Sequence, residues 1–248
     1  MSGAVEAVTF DYWNTLCYEP ELFQLDRVRA DVVSRLLVEE GVGVDVDDLR
    51  EWVAAAMVTI RERYLEAWPA NVQYTGEHAV TDLLEALRAL VPPGSALAGR
   101  VAEAFDGVGA EADLLLVDGV EEAVRALKER GVRLGIVCDV GLLSSGWLRH
   151  HLDGHGLLGL FDHWSFSDEV GVYKPAPEIF RHALDGLGGI EPGRAAHIGD
   201  RRRTDVAGAQ AMGMRAVRLT TVYDDPDEGP TGDAVIASYA DLLPALGF

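Results

Sequence analysis

Residues 4–16, AVEAVTFDYWNTL, hold a short apolar run rich in valine that stops at Asp11 and passes into polar and aromatic residues that continue no helix. A run of this kind closed by turn formers predicts a buried strand over 4–10 that ends in a polar loop. The pattern then changes. Leu22, Leu25, Val28, Val32 and Leu36 recur at helical spacing until Gly41 and Gly43 interrupt it. A second helix is expected from a cap at Asp47 or Asp48 through Trp52, Ala56, Ile60 and Tyr64 to Pro69. Two more are expected over 77–90 and 95–105, and no convincing strand lies among them.

After Leu114 helices and strands alternate. Helices are expected over 120–130, 145–151, 177–187, 205–212 and 239–246, and strands over 133–138, 163–167, 195–198, 215–219 and 234–236. Such alternation predicts an α/β fold with a doubly wound parallel sheet covered by helices on both faces. Cys138 lies 138 − 11 = 127 positions after Asp11, far more than one crossover helix needs. The helical block is therefore read as an insertion. It divides the chain into a core of 1–17 and 113–248 and an all-helical cap domain of 18–112. The polar run 223–233, YDDPDEGPTGD, reads as a mobile surface loop.

Composition narrows the function. The 248 residues carry 41 Asp and Glu against 21 Lys and Arg, a net charge of −20, and 48% are apolar, which is enough for a packed interior. This acidity argues against nucleic-acid binding, which needs a basic surface, and the one compact basic run is Arg201, Arg202 and Arg203. No run of about 18 uncharged apolar residues is present, and residues 1–10 lack the basic and apolar segments of a secretory signal. A cytoplasmic protein with no membrane partner is the expectation. Cys17 and Cys138 are too few for a disulfide framework.

In an open parallel sheet, ligands bind beyond the carboxyl ends of the strands. Residues directly after the apolar runs are Asp11, then Cys138 and Asp139, then Lys174 in the loop after the third strand, then Gly199 and Asp200, with Asp205 five residues on. They should converge on one mouth. Carboxylates from two strands can hold a hard divalent cation, and a lysine supplies a point charge for an anion that the cation also contacts. That arrangement suits phosphoryl transfer on a small phosphorylated metabolite.

Four segments in order, VTFDYWNTL, LGIVCD, VGVYKPAPEIF and HIGDRRRTDVAGA, resemble the four motifs of the haloacid dehalogenase-like (HAD) superfamily across nearly the whole chain. The resemblance implies a Rossmann-like core with a helical cap between the first two motifs. It implies that Asp11 is a nucleophile that carries the transferred group and that Thr15 orients its loop. Asp200 would ligate Mg²⁺ together with Asp11 and the main-chain carbonyl of Trp13, and Asp205 would support that shell or the lysine. Lys174 would offset negative charge, while Tyr12, Trp13, Cys138 and Asp139 would face the substrate.

Two departures from the family pattern matter. Phosphatases of the family carry a second Asp two residues after the nucleophile, and here that position is Trp13, whose indole cannot transfer a proton. The main-chain carbonyl of residue 13 is untouched by this change, so metal binding and acid–base chemistry separate. Cys138 replaces the family's Ser or Thr and donates more weakly. Family dehalogenases have an aromatic residue at the position of Trp13, but they lack the acidic fourth motif that Asp200 and Asp205 retain here. Three readings stand: a Mg²⁺-dependent phosphatase, a 2-haloacid dehalogenase-like hydrolase, and a catalytically impaired binding protein. Simpler readings stand beside them: Asp205 as a helix cap, His197 as a hydrogen-bonded core histidine, and Arg201 to Arg203 as a solvated rim.

Overall fold

The computed structural model describes residues 4–21 and 24–248. Leu22, from which the first helix is reckoned, lies outside them. The chain divides into two compact units, one of Met1–Tyr18, Leu114–Val140 and Arg149–Phe248, the other of Glu19–Asp113 with Gly141–Leu148.

In chain order the elements are β1 (Ala7–Phe10), β2 (Cys17–Tyr18), α1 (Gln24–Glu39), α2 (Val46–Ala67), α3 (Gly76–Ala86), α4 (Ala96–Gly107), β3 (Leu115–Leu116), α5 (Val120–Glu129), β4 (Arg133–Cys138) and α6 (Ser145–Gly154). They continue with β5 (His163–Phe166), the single turn α7 (Ser167–Val170), α8 (Pro177–Gly186), β6 (Ala195–Gly199), α9 (Ala207–Met212), β7 (Arg215–Leu219), β8 (Ala234–Ile236) and α10 (Leu242–Leu246).

The first unit is built on a six-stranded sheet in the order β5-β4-β1-β6-β7-β8. All of its pairings are parallel, so this is the doubly wound sheet that the alternating sequence predicts. β1 is buried along its whole length because it lies between β4 and β6, with Phe10 opposite Ile136 and Ile198. It is shorter than the predicted 4–10. Glu6 still extends the ladder at both neighbours, giving its N–H to Arg194 and accepting from Arg133. Against one face pack Ile179, Phe180 and Ala183 of α8 with Val206 and Ala209, all buried. Each large apolar side chain so buried stabilises the fold by about 1.5–3 kcal/mol.

A second sheet of two strands, β2 and β3, pairs antiparallel and is not predicted, because a pair of two-residue strands leaves no periodic trace. The helix predicted to begin at Asp205 also differs. Residues Arg202–Val206 form a wide π turn before α9, with the N–H groups of Asp205 and Val206 both given to the Arg201 carbonyl. Asp205 therefore sits inside that turn and does not cap the helix.

The second unit is helical. α2 starts earlier than predicted because the Asp45 carboxylate accepts the N–H of Asp47 at 2.8 Å, and Ser95 caps α4 through Ala98 at 3.2 Å. Val33 and Leu37 of α1, Val53, Met57 and Ile60 of α2, Leu83 of α3 and Phe105 of α4 form its interior. Among the described residues no helix is long and apolar enough to cross a membrane.

Candidate active site

The carboxyl ends of β1, β4 and β6, with the loop before α8, bring together four of the residues singled out from the sequence. Carboxylate oxygens of Asp11, Asp200 and Asp205 lie within 4.8 Å of one another, and all three residues are buried. The Lys174 ammonium stands between two of them, 2.6 Å from Asp11 Oδ1 and 2.6 Å from Asp205 Oδ1. Its own main-chain N–H is fixed by Asp139 Oδ1 at 2.8 Å, so the residue that follows β4 sets where the lysine starts.

The local backbone explains why these side chains meet. Asp11 continues β1 through an N–H bond to Ile198 at 2.8 Å, after which Tyr12 O accepts from Leu16 and Cys17 and turns the chain back. Asn14 takes a left-handed conformation, φ 57°, that asparagine tolerates well, and its Nδ2 donates to Asp200 Oδ2 at 3.1 Å. A side chain at Gly199 would overlap the carboxyl carbon of Asp205, so only glycine lets that carboxylate lie against the end of β6.

Asp205 is the most heavily bonded of the three. Its Oδ1 meets Lys174 and His197 Nε2 (3.2 Å), and its Oδ2 accepts the Arg201 N–H at 2.9 Å. Burial would raise its pKa, but Lys174 and His197 outweigh that and hold it well below the usual carboxylate range. An ionised Asp205 only accepts, so the network assigns the imidazole proton to Nε2, leaving Nδ1 to accept from the Thr9 hydroxyl at 2.9 Å. Burial keeps His197 neutral by pushing its pKa down. The hydrogen-bonded core histidine read from the sequence is thus also a partner of the site.

The other carboxylates are short of positive charge. Burial raises Asp11 well above its ordinary value, against the attraction of Lys174. Asp200 is pushed up to about 7, by burial first and by Asp205 second. Lys174, despite the cost of burial, is held well above the usual lysine range by Asp11 and Asp205. Three buried carboxylates share one ammonium. This donor set of hard oxygens with surplus negative charge fits a divalent cation.

Other residues named from the sequence sit as follows. Tyr12 is fully buried with its ring edge-on to Trp13 at 5.3 Å, and Trp13 is half-buried. Thr15 is fully buried; its hydroxyl has no hydrogen-bond partner among the described residues, while its carbonyl accepts from Tyr239 Oη at 2.8 Å. The Cys138 thiol donates to the Asp139 carbonyl at 3.4 Å, and burial pushes its pKa far up, so it is no thiolate.

One surface reading needs correction. Arg201 and Arg202 are not simply solvated: Arg201 stacks 4.2 Å over the Tyr223 ring, and Arg202 Nε donates to the Asp225 carbonyl. Residues 223–233 lie at the surface as expected, but Asp225, only 2% exposed, anchors the segment. The sequence does not single out Asn14 and Asp225 as site residues; an asparagine in a turn and a carboxylate in an acidic loop are too common to signal a role.

The profile of the haloacid dehalogenase-like hydrolase family matches residues 5–213. Glyceraldehyde 3-phosphate phosphatase of Methanopyrus kandleri is 30% identical over 216 residues, 87% of this chain and 84% of that protein. Haloacid dehalogenase-like hydrolase domain-containing protein 3 of Mus musculus is 30% identical over 161 residues, 63% of this chain and 61% of that protein. The match spans about half the length of its bovine and human counterparts. A 2-haloacid dehalogenase from Pseudomonas syringae has the same fold, with a TM-score of 0.70, 23% identity and 98% of each chain covered.

Proposed function

The chain belongs to the haloacid dehalogenase-like hydrolases, and from that premise we propose that it is a Mg²⁺-dependent phosphatase acting on a small phosphorylated metabolite through an aspartyl-phosphate on Asp11. The observation that carries this reading is the buried cluster of Asp11, Asp200 and Asp205 around Lys174. The phosphatase named among its relatives supports it.

Asp11, Asp200, Asp205 and the main-chain carbonyl of Trp13 would hold the magnesium, which when bound supplies positive charge beside the phosphoryl oxygens. In the first step an Asp11 oxygen bonds to phosphorus as the bond to the leaving oxygen breaks. Lys174 offsets the charge on the nucleophile. In the second step water attacks the same phosphorus, releases phosphate and restores Asp11. Asp205, locked by Lys174, His197 and the Arg201 N–H, holds the lysine in register.

Trp13 selects among substrates. With no proton donor at that position, a leaving alkoxide departs unprotonated, and loss of a general acid or base costs about 10²- to 10⁴-fold in rate. Acyl and aryl phosphates, whose leaving groups are stable as anions, are therefore the favoured class. The test is a panel of acyl, aryl and alkyl phosphates assayed with Mg²⁺ and with EDTA. Turnover of acyl or aryl phosphates that EDTA abolishes is expected; full activity in EDTA would defeat the reading.

The same Trp13 supports a second reading, carbon–halogen hydrolysis by Asp11, because a halide leaves without a proton. Metal-independent halide release from 2-haloacids in the same panel would establish it over the first. Mg²⁺ binding with no turnover of any substrate would instead mark a binding protein.

A further inference from the structure

Between Asp200 and Asp205 the chain runs through Arg201 and Arg202, whose consecutive N–H groups go to two different carboxylates. Arg201 N–H goes to Asp205 Oδ2 at 2.9 Å, and Arg202 N–H goes to Asp225 Oδ2 at 2.7 Å. Asp225 lies 23 positions beyond Arg202 and reaches back to it from the segment between β7 and β8.

Asp225 grips Arg202 twice, since its main-chain carbonyl also accepts from Arg202 Nε at 3.1 Å. Its second carboxylate oxygen takes the Asp227 N–H at 3.2 Å, and the residue is 2% exposed. Two residues earlier, Tyr223 Oη lies 3.1 Å from the Arg201 guanidinium that stacks on its ring. At Gly229 a side-chain carbon would come within 3.1 Å of Arg202 Cβ, so the far end of the loop closes over the same residue. Arg201 Nε is in turn 3.6 Å from Asp200 Oδ2, and its Nη1 is 3.9 Å from Asp225 Oδ1.

We propose that Asp225 is a positioning residue for the cation-binding carboxylates Asp200 and Asp205, acting through the 201–202 main chain. The inference rests on the divalent-cation reading of that site. A charge-assisted bond to the Arg202 N–H fixes the start of the π turn that carries Asp205, and the same segment leaves Asp200 facing it. Mere attachment of the loop to the sheet has other means: Arg218 pairs with Asp224 at 2.6 Å, and Thr220 N–H bonds Ile236 O at 3.0 Å. Groups that orient ligand carboxylates are worth about 10- to 100-fold in metal affinity.

The experiment is calorimetric titration of the substrate-free protein with MgCl₂, paired with amide exchange measured by NMR without metal. Asp225→Ala should weaken Mg²⁺ binding about 10- to 100-fold. It should speed exchange at least about tenfold at Arg202 and also at Arg201, whose own bond goes to Asp205. Asp225→Asn keeps an oxygen for the Arg202 N–H but loses the charge and the acceptor for Asp227, so its losses should be clearly smaller than those of Asp225→Ala. Asp224→Ala, which frees only the loop, should change neither. Unchanged Mg²⁺ affinity in Asp225→Ala, faster exchange confined to Arg202, or equal losses in Asp225→Asn or Asp224→Ala would each overturn the inference. No Mg²⁺ binding by the unmodified protein would remove the cation reading itself and this inference with it.

Discussion

Each unit buries a cation almost completely, and the two are balanced in opposite ways. Lys174 in the α/β unit has a carboxylate on either side at 2.6 Å and a third within reach of both. Arg29 in the helical unit, also 2% exposed, has Asp26 at 3.3 Å, the Leu142 carbonyl at 3.0 Å and the Phe105 ring centred 4.6 Å away, while its Nε has no partner among the described residues. Burial pushes the Arg29 guanidinium down to about 10, whereas the carboxylates hold the Lys174 ammonium well above its ordinary value. Burial of charge is common to both. A cluster of three buried carboxylates is found around Lys174, and it is this cluster that could hold a further cation.

The sharpest break of that comparison is Asp11→Asn. Removing the proposed nucleophile should lower kcat by about 10⁴-fold or more, as for other residues that bond covalently to the substrate. The fold should survive, because an amide in place of a carboxylate crowded by Asp200 and Asp205 relieves repulsion. Turnover and melting temperature, measured on one preparation, check both halves. Lys174→Met comes next. It leaves Asp11 and Asp205 facing each other without their shared counter-charge, and the expected cost is about 3–5 kcal/mol of stability, read from urea midpoints.

Proton linkage gives a third test. Asp200 is pushed up to about 7, so the metal-free folded chain takes up a proton that the unfolded chain, with an ordinary carboxylate, takes up only in stronger acid. Its contribution to stability is full in acid and lost as pH rises through about 7; Asp11, also raised, has the same sign. His197, with a lowered pKa, acts oppositely, but only as pH falls through 6.5 and below. From about pH 8 down to that value the metal-free protein should therefore gain stability, by no more than about 1.4 kcal/mol per pH unit for each group. Asp200→Asn should reduce the slope and saturating Mg²⁺ should remove or reverse it. A flat profile in the metal-free protein would show that these carboxylates are not short of positive charge.

Residues that end strands are legible in the sequence, and those that reach the site from elsewhere are not. Asp11 and Asp200 follow apolar runs, and a parallel sheet places such positions at one edge, so periodicity and topology together locate them. Strands 133–138, 215–219 and 234–236 match the reading to the residue because polar turns bound each one. Asp205 is found but assigned to a helix start, since a π turn has the same local composition as an α-helical one. Asp225 reads as loop charge, because its partner lies 23 residues away and no spacing rule links them. Long-range hydrogen bonds between irregular segments leave no period to detect.

Arg29 supplies the smallest effect and the other arm of the comparison. Replacing a buried arginine by an apolar side chain of similar length removes a desolvation penalty together with its bonds, and such exchanges are often neutral or stabilising. Asp26 keeps an ion-pair partner in Arg61, so no carboxylate is stranded, while Asp26 Oδ1 and the Leu142 carbonyl each lose one donor. Arg29→Met should therefore change stability by about 1 kcal/mol or less. Arg29→Ala, which also empties the space against Phe105, should cost about 2–4 kcal/mol more. Urea midpoints with an unchanged m-value measure both. If Arg29→Met cost as much as Lys174→Met, buried cations in the two units would be equivalent structural pairs, and the charge imbalance around Lys174 would lose its meaning as the mark of a site.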